Sequence, residues 1–243
     1  MRFQNKTIKV AIVDNSIDSS VYQPVDHWRK WLSVPWVSFR AKKNEFPDFE
    51  QGFTHFILTG SEASILEREK WVEDEVALVQ EAVERGLPVL GSCYGHQLLA
   101  LALRGPGCVR RCPNPEIGWI PVGIPEANSL LGDKGSFFTF SSHFDEVVNL
   151  DREFQVTAAT GECSVQGFEL VGKQAWGLQC HPEIDIEDAR AFLRNIIRQN
   201  PVTRAYFEKA LKETPRDSGL ILRIVSRFLE SSAKARSLRG FFP

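Results

Sequence analysis

The residues best equipped for chemistry in this 243-residue chain are Cys93, His181 and Glu183. Cys93 lies in Gly91-Ser-Cys-Tyr-Gly95, a G-x-C-x-G pattern between a short apolar strand-like run and a helix-like run at 98–103. A nucleophile elbow needs small residues two before and two after the nucleophile, because its backbone is strained and closely packed. Glycine, having no Cβ, satisfies that need. The following helix points free N–H groups and its positive dipole end at the sulfur, a setting that favours the nucleophilic thiolate. A buried structural cysteine in an ordinary βα turn has the same spacing, so the elbow alone leaves both readings open. His181 and Glu183 lie two apart at the end of a strand-like run, so their side chains leave on one face. Glu183 can then fix the tautomer of the His181 ring, giving nucleophile, base and orienter.

Strands must carry these groups to one place. Residues 8–14 read as a first strand, apolar enough for burial on both faces of a parallel sheet. Residues 21–36 hold three tryptophans, are broken by Pro24 and Pro35, and are expected to form a helix on the sheet, with Trp28 and Trp31 as core residues. Residues 36–40 and 53–59 follow as strands, His55 being a packed histidine. A helix is expected over 67–85, closed by Gly86. Strand–helix–strand order implies right-handed crossovers and a mostly parallel sheet. Sites in such sheets lie beyond the carboxyl ends of the strands, where Gly60 and Cys93 fall.

After residue 103 the character changes. Short β-type runs at 118–123, 136–140, 154–158 and 165–170 predict antiparallel hairpins added to one edge of the sheet. Residues 175–180 form one more strand, delivering His181, and 184–199 a helix. Asn200-Pro201 ends the main domain, so the expected division is 1–200 and a helical extension over 201–243. That extension carries nine Lys/Arg against four Asp/Glu and an apolar stripe at Ile221, Ile224, Val225, Phe228 and Leu229. The stripe is expected to pack on the main domain, with the basic face as the one feature able to mark a docking surface.

Composition excludes several classes. Hydrophobic content of 43% with 25% charged residues is that of an ordinary globular protein. A net charge of −2 gives no reason to expect nucleic acid or an anionic membrane. No signal region or membrane-length apolar run is present, and five cysteines do not form a disulfide framework, so a cytoplasmic protein is expected. Cys108 and Cys112 have a C-x3-C spacing without a second ligand pair, so no metal is expected.

The sequence resembles the class I glutamine amidotransferases. The resemblance rests on Gly91-Ser-Cys-Tyr-Gly-His-Gln97 and Gln179-Cys-His-Pro-Glu183, with Ile57-Leu-Thr-Gly-Ser61, Glu116-Ile-Gly-Trp119 and Ser142-His-Phe-Asp-Glu-Val147 between them, in order over about residues 8–199. Its most similar subgroup is the stand-alone, GMP-synthase-like enzymes, which includes γ-glutamyl peptidases. It implies a three-layer α/β/α, flavodoxin-like fold and a glutaminase mechanism. Cys93 attacks the γ-carboxamide of glutamine, and His181 protonates the leaving ammonia and later activates water. Glu183 orients His181. Backbone N–H groups of Tyr94 and of the Gly60–Ser61 turn hold the oxyanion. Gln97 and the backbone around Ser142, His143 and Phe144 hold the glutamine α-groups, while His96 and His143 need do no chemistry and are structural or substrate-proximal. No cofactor is implied.

Three departures from the family pattern stand out: Gly60-Ser61-Glu62 replaces two glycines and a proline, Phe144 replaces a glycine, and Cys180 replaces an aromatic residue. The chain also lacks an ATP-binding loop of the G-x-x-x-x-G-K-[ST] kind and any pyrophosphatase loop. Three readings follow: a glutaminase serving a separate synthetase, a γ-glutamyl peptidase with the same triad, and a silent binding module. Oligomeric state is not legible.

Overall fold

A computed structural model describes residues 7–199 and 201–238, with side chains as far as residue 231. Five strands, β1 (Val10–Asp14), β2 (Trp36–Arg40), β3 (His55–Leu58), β4 (Val89–Ser92) and β9 (Ala175–Leu178), are parallel. They stand in the order β2-β1-β3-β4-β9, the flavodoxin-like arrangement. β8 (Gly167–Leu170) and β7 (Phe154–Ala158) extend this sheet antiparallel at the β9 edge.

The alternation of β1 shows why the sheet is covered twice. Ala11 and Val13 join Leu58, Val89 and residues of helices α2 (Val72–Glu84) and α3 (Tyr94–Arg104) in one apolar layer. Val10 and Ile12 face the opposite layer, which contains Trp28 of α1 (Pro24–Arg29) and Ile221, Ile224, Val225 and Phe228 of α6 (Ile221–Leu238). A third cluster joins α4 (Ile186–Gln199) and α5 (Arg204–Lys212) through Leu193, Phe207 and Ala210 to Tyr22 and Phe140.

Three sequence expectations are corrected. The helix expected over 21–36 is only six residues, because Pro24 opens it at the first turn and Pro35 lies just before β2. Residues 21–23 are thereby left in a loop at the end of β1. The helix expected from 67 starts at Val72, since Ile65–Glu67 is a tight turn closed by Arg68 in the left-handed region. Finally, not all the hairpins join the main sheet. β5 (Val109–Ile124) and β6 (Gly135–Val147) form a separate two-stranded ribbon. The ribbon is hooked to the end of β9 by the His181 N–H donating to Phe140 O at 2.8 Å.

Candidate active site

The loops after β1, β3, β4 and β9 all open at the carboxyl edge of the sheet and meet the ribbon there. Cys93 is the cap of α3 and holds φ +49°, ψ −104°, a strained conformation for a residue with a Cβ. A Cβ on Gly91 would collide with the backbone of Gly95, and one on Gly95 with the backbone of Leu58, so the elbow closes only with glycine at both places. The Cys93 N–H donates to Leu178 O at 2.8 Å, tying the turn to the strand that carries the histidine. Its thiol reaches the Ser142 carbonyl at 3.7 Å and lies close enough to the His181 ring to raise its affinity for a proton.

His181 and Glu183 are buried. His181 donates Nδ1–H to Glu183 Oε1 at 2.9 Å, and Ser92 Oγ donates to the same oxygen at 2.7 Å. Trp31 Nε1–H holds the Glu183 backbone carbonyl at 2.8 Å. Burial acts to lower the affinity of His181 for a proton, but the Glu183 carboxylate and then Cys93 outweigh it and raise its pKa to about 10. His181 is therefore held as imidazolium beside the sulfur. Sequence reasoning does not single out Ser92 and Trp31 as supports of Glu183. Their signal is position alone, Ser92 being adjacent to the nucleophile.

Gly60 packs directly against Tyr22 and His181. A Cβ there would lie 2.7 Å from the Tyr22 hydroxyl and 2.9 Å from His181 Cε1. Ser61 and Tyr94 line the cavity, and Tyr94 is the first residue of α3, whose leading N–H groups have no acceptor within the helix. The unusual Glu62 has a local purpose: its carboxylate accepts the backbone N–H of Ile17 and of Asp18, both at 3.0 Å. This clamps the β3 loop to the β1 loop.

The opposite wall comes from β5, β6 and the helices. Gln97 donates from Nε2 to Asp145 O at 2.9 Å and to Gln179 Oε1 at 3.0 Å, leaving its carbonyl oxygen uncommitted by these two bonds. Ser142, His143 and Phe144 all line the cavity. The His143 ring faces Asp145 O at 3.0 Å through Nδ1 and Glu116 Oε2 at 3.2 Å through Nε2, so it braces the ribbon. Phe144, where the family pattern has glycine, packs edge-on to Tyr206 at 5.9 Å and against Phe207 at 6.1 Å, joining the ribbon to α5. Arg111 ion-pairs with Asp145 at 3.0 Å, and Ser64 Oγ donates to Asp145 at 2.6 Å. These walls enclose a cavity of about 430 Å³ reaching Cys93 and His181.

His96 lies away from the chemistry. It is buried against Phe168 at 4.8 Å, and burial pulls its pKa down to about 3, so it is a neutral packing residue. Cys180 is buried in the apolar layer beneath the sheet, and burial raises its thiol strongly, which fits packing. Among the described residues, Glu116, His143 and Cys163 bring potential ligand atoms within 4.8 Å of one another. Gln166 Nε2 already donates to Glu116 Oε2 at 2.5 Å within that group. Also among the described residues, no helix is long and apolar enough to cross a membrane.

Known proteins share the sequence pattern and the fold of this chain. The family model for class-I glutamine amidotransferase matches residues 11–199. The glutamine-hydrolysing GMP synthase of Lachnospira eligens is 29% identical over 189 residues, covering 74% of this chain but 35% of that protein. A separate subunit of the glutamine-hydrolysing GMP synthase of Thermoplasma acidophilum is 27% identical over 184 residues, covering 71% of this chain and 89% of that subunit. The crystal structure of a glutamine amidotransferase from Thermotoga maritima superposes with a TM-score of 0.68 at 20% identity, over 94% of this chain and 99% of that one, and shows the same fold. The chain thus spans about a third of the full-length GMP synthase and most of the separate Thermoplasma subunit. It belongs to the class-I glutamine amidotransferase family.

Proposed function

We propose that this class-I amidotransferase chain hydrolyses the γ-amide of glutamine to glutamate and ammonia through Cys93, His181 and Glu183. The observation that carries the reading is the buried contact series Cys93–His181–Glu183 at the carboxyl edge of a parallel sheet. The Cys93 thiolate adds to the γ-carbonyl carbon. The imidazolium of His181 gives its proton to the leaving nitrogen, and ammonia departs. Water, deprotonated by His181, then opens the γ-glutamyl thioester. Glu183 holds the ring in the required tautomer and stabilises its charge. The oxyanion is received by backbone N–H groups of Tyr94 and of Gly60–Ser61. Gln97 offers its carbonyl oxygen to the α-ammonium, with the Ser142–Phe144 backbone completing the α-group site.

Ammonia released in this way would serve a separate synthetase, in keeping with the relatives that are named as single subunits of a GMP synthase. The catalytic domain would span 1–200, with 201–243 as its helical extension. One observation favours a second reading. The cavity is about 430 Å³, and Phe140, Phe144, Ile184, Phe192 and Phe207 line one side of it. That volume lies within the roughly 300–1,000 Å³ of pockets that bury drug-sized ligands, larger than an amino acid. A γ-glutamyl peptide with an apolar leaving group would use this wall, whereas ammonia would not.

The test is glutamate release from L-glutamine and from γ-glutamyl dipeptides, with Cys93→Ala in parallel. Glutamine turnover abolished in the variant is the expected result. Faster cleavage of dipeptides moves the assignment to the peptidase. Inactivity on both substrates removes the enzymatic reading in favour of a binding module.

A further inference from the structure

Tyr22 has no role in the mechanism above, yet it stands inside the site. It lies in the loop between β1 and α1, next to the end of β3, and lines the same cavity as Cys93 and His181. Only 4% of its surface is exposed. Its ring is fixed on three sides, edge-on to Phe192 at 5.5 Å, tilted to His27 at 5.5 Å and edge-on to His181 at 6.3 Å. Its backbone N–H is bound to Asp18 O at 3.1 Å. The buried hydroxyl has no hydrogen-bond partner among the described residues. The hydroxyl and His181 Cε1 both border Gly60, each within 3 Å of where a Cβ on that glycine would stand, at the turn proposed to receive the oxyanion. A fixed, buried O–H without a partner costs stability, and such groups are kept where a ligand supplies the missing acceptor.

We propose that the Tyr22 hydroxyl is a third oxyanion donor, alongside the backbone N–H groups of Tyr94 and of the Gly60–Ser61 turn. The proposal rests on the glutaminase reading. As the Cys93 sulfur bonds to the γ-carbonyl carbon, the carbonyl π pair moves onto oxygen, and Tyr22 O–H donates to that oxygen. When the intermediate collapses, the pair returns, the C–N bond breaks, and the nitrogen leaves with the proton from His181. Tyr22 keeps its own proton throughout. Burial, reinforced by Glu183 and Cys93, holds the phenol well above its ordinary pKa, so it remains a donor across the working range. Pre-placed donors of this kind act on the transition state and little on the bound substrate.

Tyr22→Phe removes the hydroxyl and keeps the ring. Wild type and variant are compared for kcat and KM on the better of glutamine and a γ-glutamyl dipeptide, and for thermal midpoint. The expected result is a kcat lower by about 100-fold, KM within about twofold and a thermal midpoint no lower than wild type. Unchanged kcat overturns the proposal, as does a raised KM at unchanged kcat, which marks a ground-state contact. Loss of kcat in step with a lower thermal midpoint assigns Tyr22 to packing and also overturns it. A wild type inactive on both substrates overturns the glutaminase reading itself, and this assignment with it.

Discussion

Ser92 and Glu183 meet across the β4–β9 junction, the serine hydroxyl donating at 2.7 Å to the carboxylate oxygen that receives His181. The residue next to Cys93 therefore holds the carboxylate that binds the His181 ring. The other Glu183 oxygen, Oε2, is buried without a partner among the described residues, so Ser92 is a main source of neutralising dipole there. Ser92→Ala is expected to cost about 1.5–3 kcal/mol of stability, the range for a hydrogen bond to a charged group. It should also lower kcat by about tenfold through a less firmly placed His181. Chemical denaturation and steady-state kinetics on the purified variant measure both effects.

Glu183→Gln keeps the shape and the hydrogen bond from Nδ1 but removes the charge. Burial, the largest influence on His181, is then opposed only by Cys93 and the remaining Nδ1 hydrogen bond, and the ring loses its proton at lower pH. The alkaline limb of kcat/KM should move from near pH 10 in the wild type towards neutrality in the variant. Stability follows the same sign. A raised folded-state pKa contributes stability that is complete below the ordinary histidine value of 6.5 and disappears as pH rises through about 10. The advantage of wild type over Glu183→Gln in thermal midpoint should accordingly shrink across that interval. An advantage that grew with pH would refute the assignment of the shift to Glu183.

Cys93 offers a direct measure of stored strain. Its φ of +49° with ψ −104° is a conformation glycine tolerates and residues with a Cβ do not. Cys93→Ala and Cys93→Gly both lack the sulfur and should both be inactive. The glycine variant is expected to be the more stable by about 1 kcal/mol, because relief of about 1–3 kcal/mol of strain exceeds the roughly 0.5–1 kcal/mol entropic cost of glycine. Thermal unfolding of the two variants side by side decides this, and greater stability of the alanine variant would mean that the elbow is unstrained.

The parts legible in the sequence are those with short-range causes. Two-sided apolar runs mark β1, β3 and β4, and the glycines around Cys93 mark the elbow, since backbone clash dictates them locally. His181 and Glu183 are legible because strand alternation fixes their common face. What escapes depends on contacts distant in sequence. Whether a β run joins the main sheet or leaves as a ribbon is set by partner strands, so sequence reasoning misplaces 109–147. The Glu62 clamp, the Phe144–Phe207 contact and Tyr22 at the base ring join residues 44 or more positions apart. No periodicity reports such pairs. Tyr22 is hidden in addition by the expected helix over 21–36, which the structure shortens to six residues.

The basic extension packs on the sheet as its apolar stripe leads one to expect, and this bears on the docking role of its basic face. From sequence, residues 216–243 resemble a docking segment whose deletion would spare hydrolysis and weaken any partner-stimulated activity. In the fold, Ile221, Ile224, Val225 and Phe228 of α6 form part of the apolar layer that covers one face of the sheet. Phe228 is fully buried, with its ring edge-on to His55 at 5.0 Å and to Trp176 at 6.5 Å. Removing α6 would uncover β1, β3 and β9, so loss of activity in a truncated chain would report unfolding and not lost docking. The point variant Phe228→Ala separates these. It should cost about 3–5 kcal/mol, the range for emptying a buried phenylalanine site. Below the lowered midpoint, kcat should remain near wild type, because the Phe228 ring packs on His55 and Trp176 and not among the residues that line the cavity. An exposed position such as Leu222 tests docking instead, since changing it leaves the covered face intact. A Phe228→Ala variant as stable as wild type would show that α6 is dispensable cover and would return the extension to the role of a free docking arm.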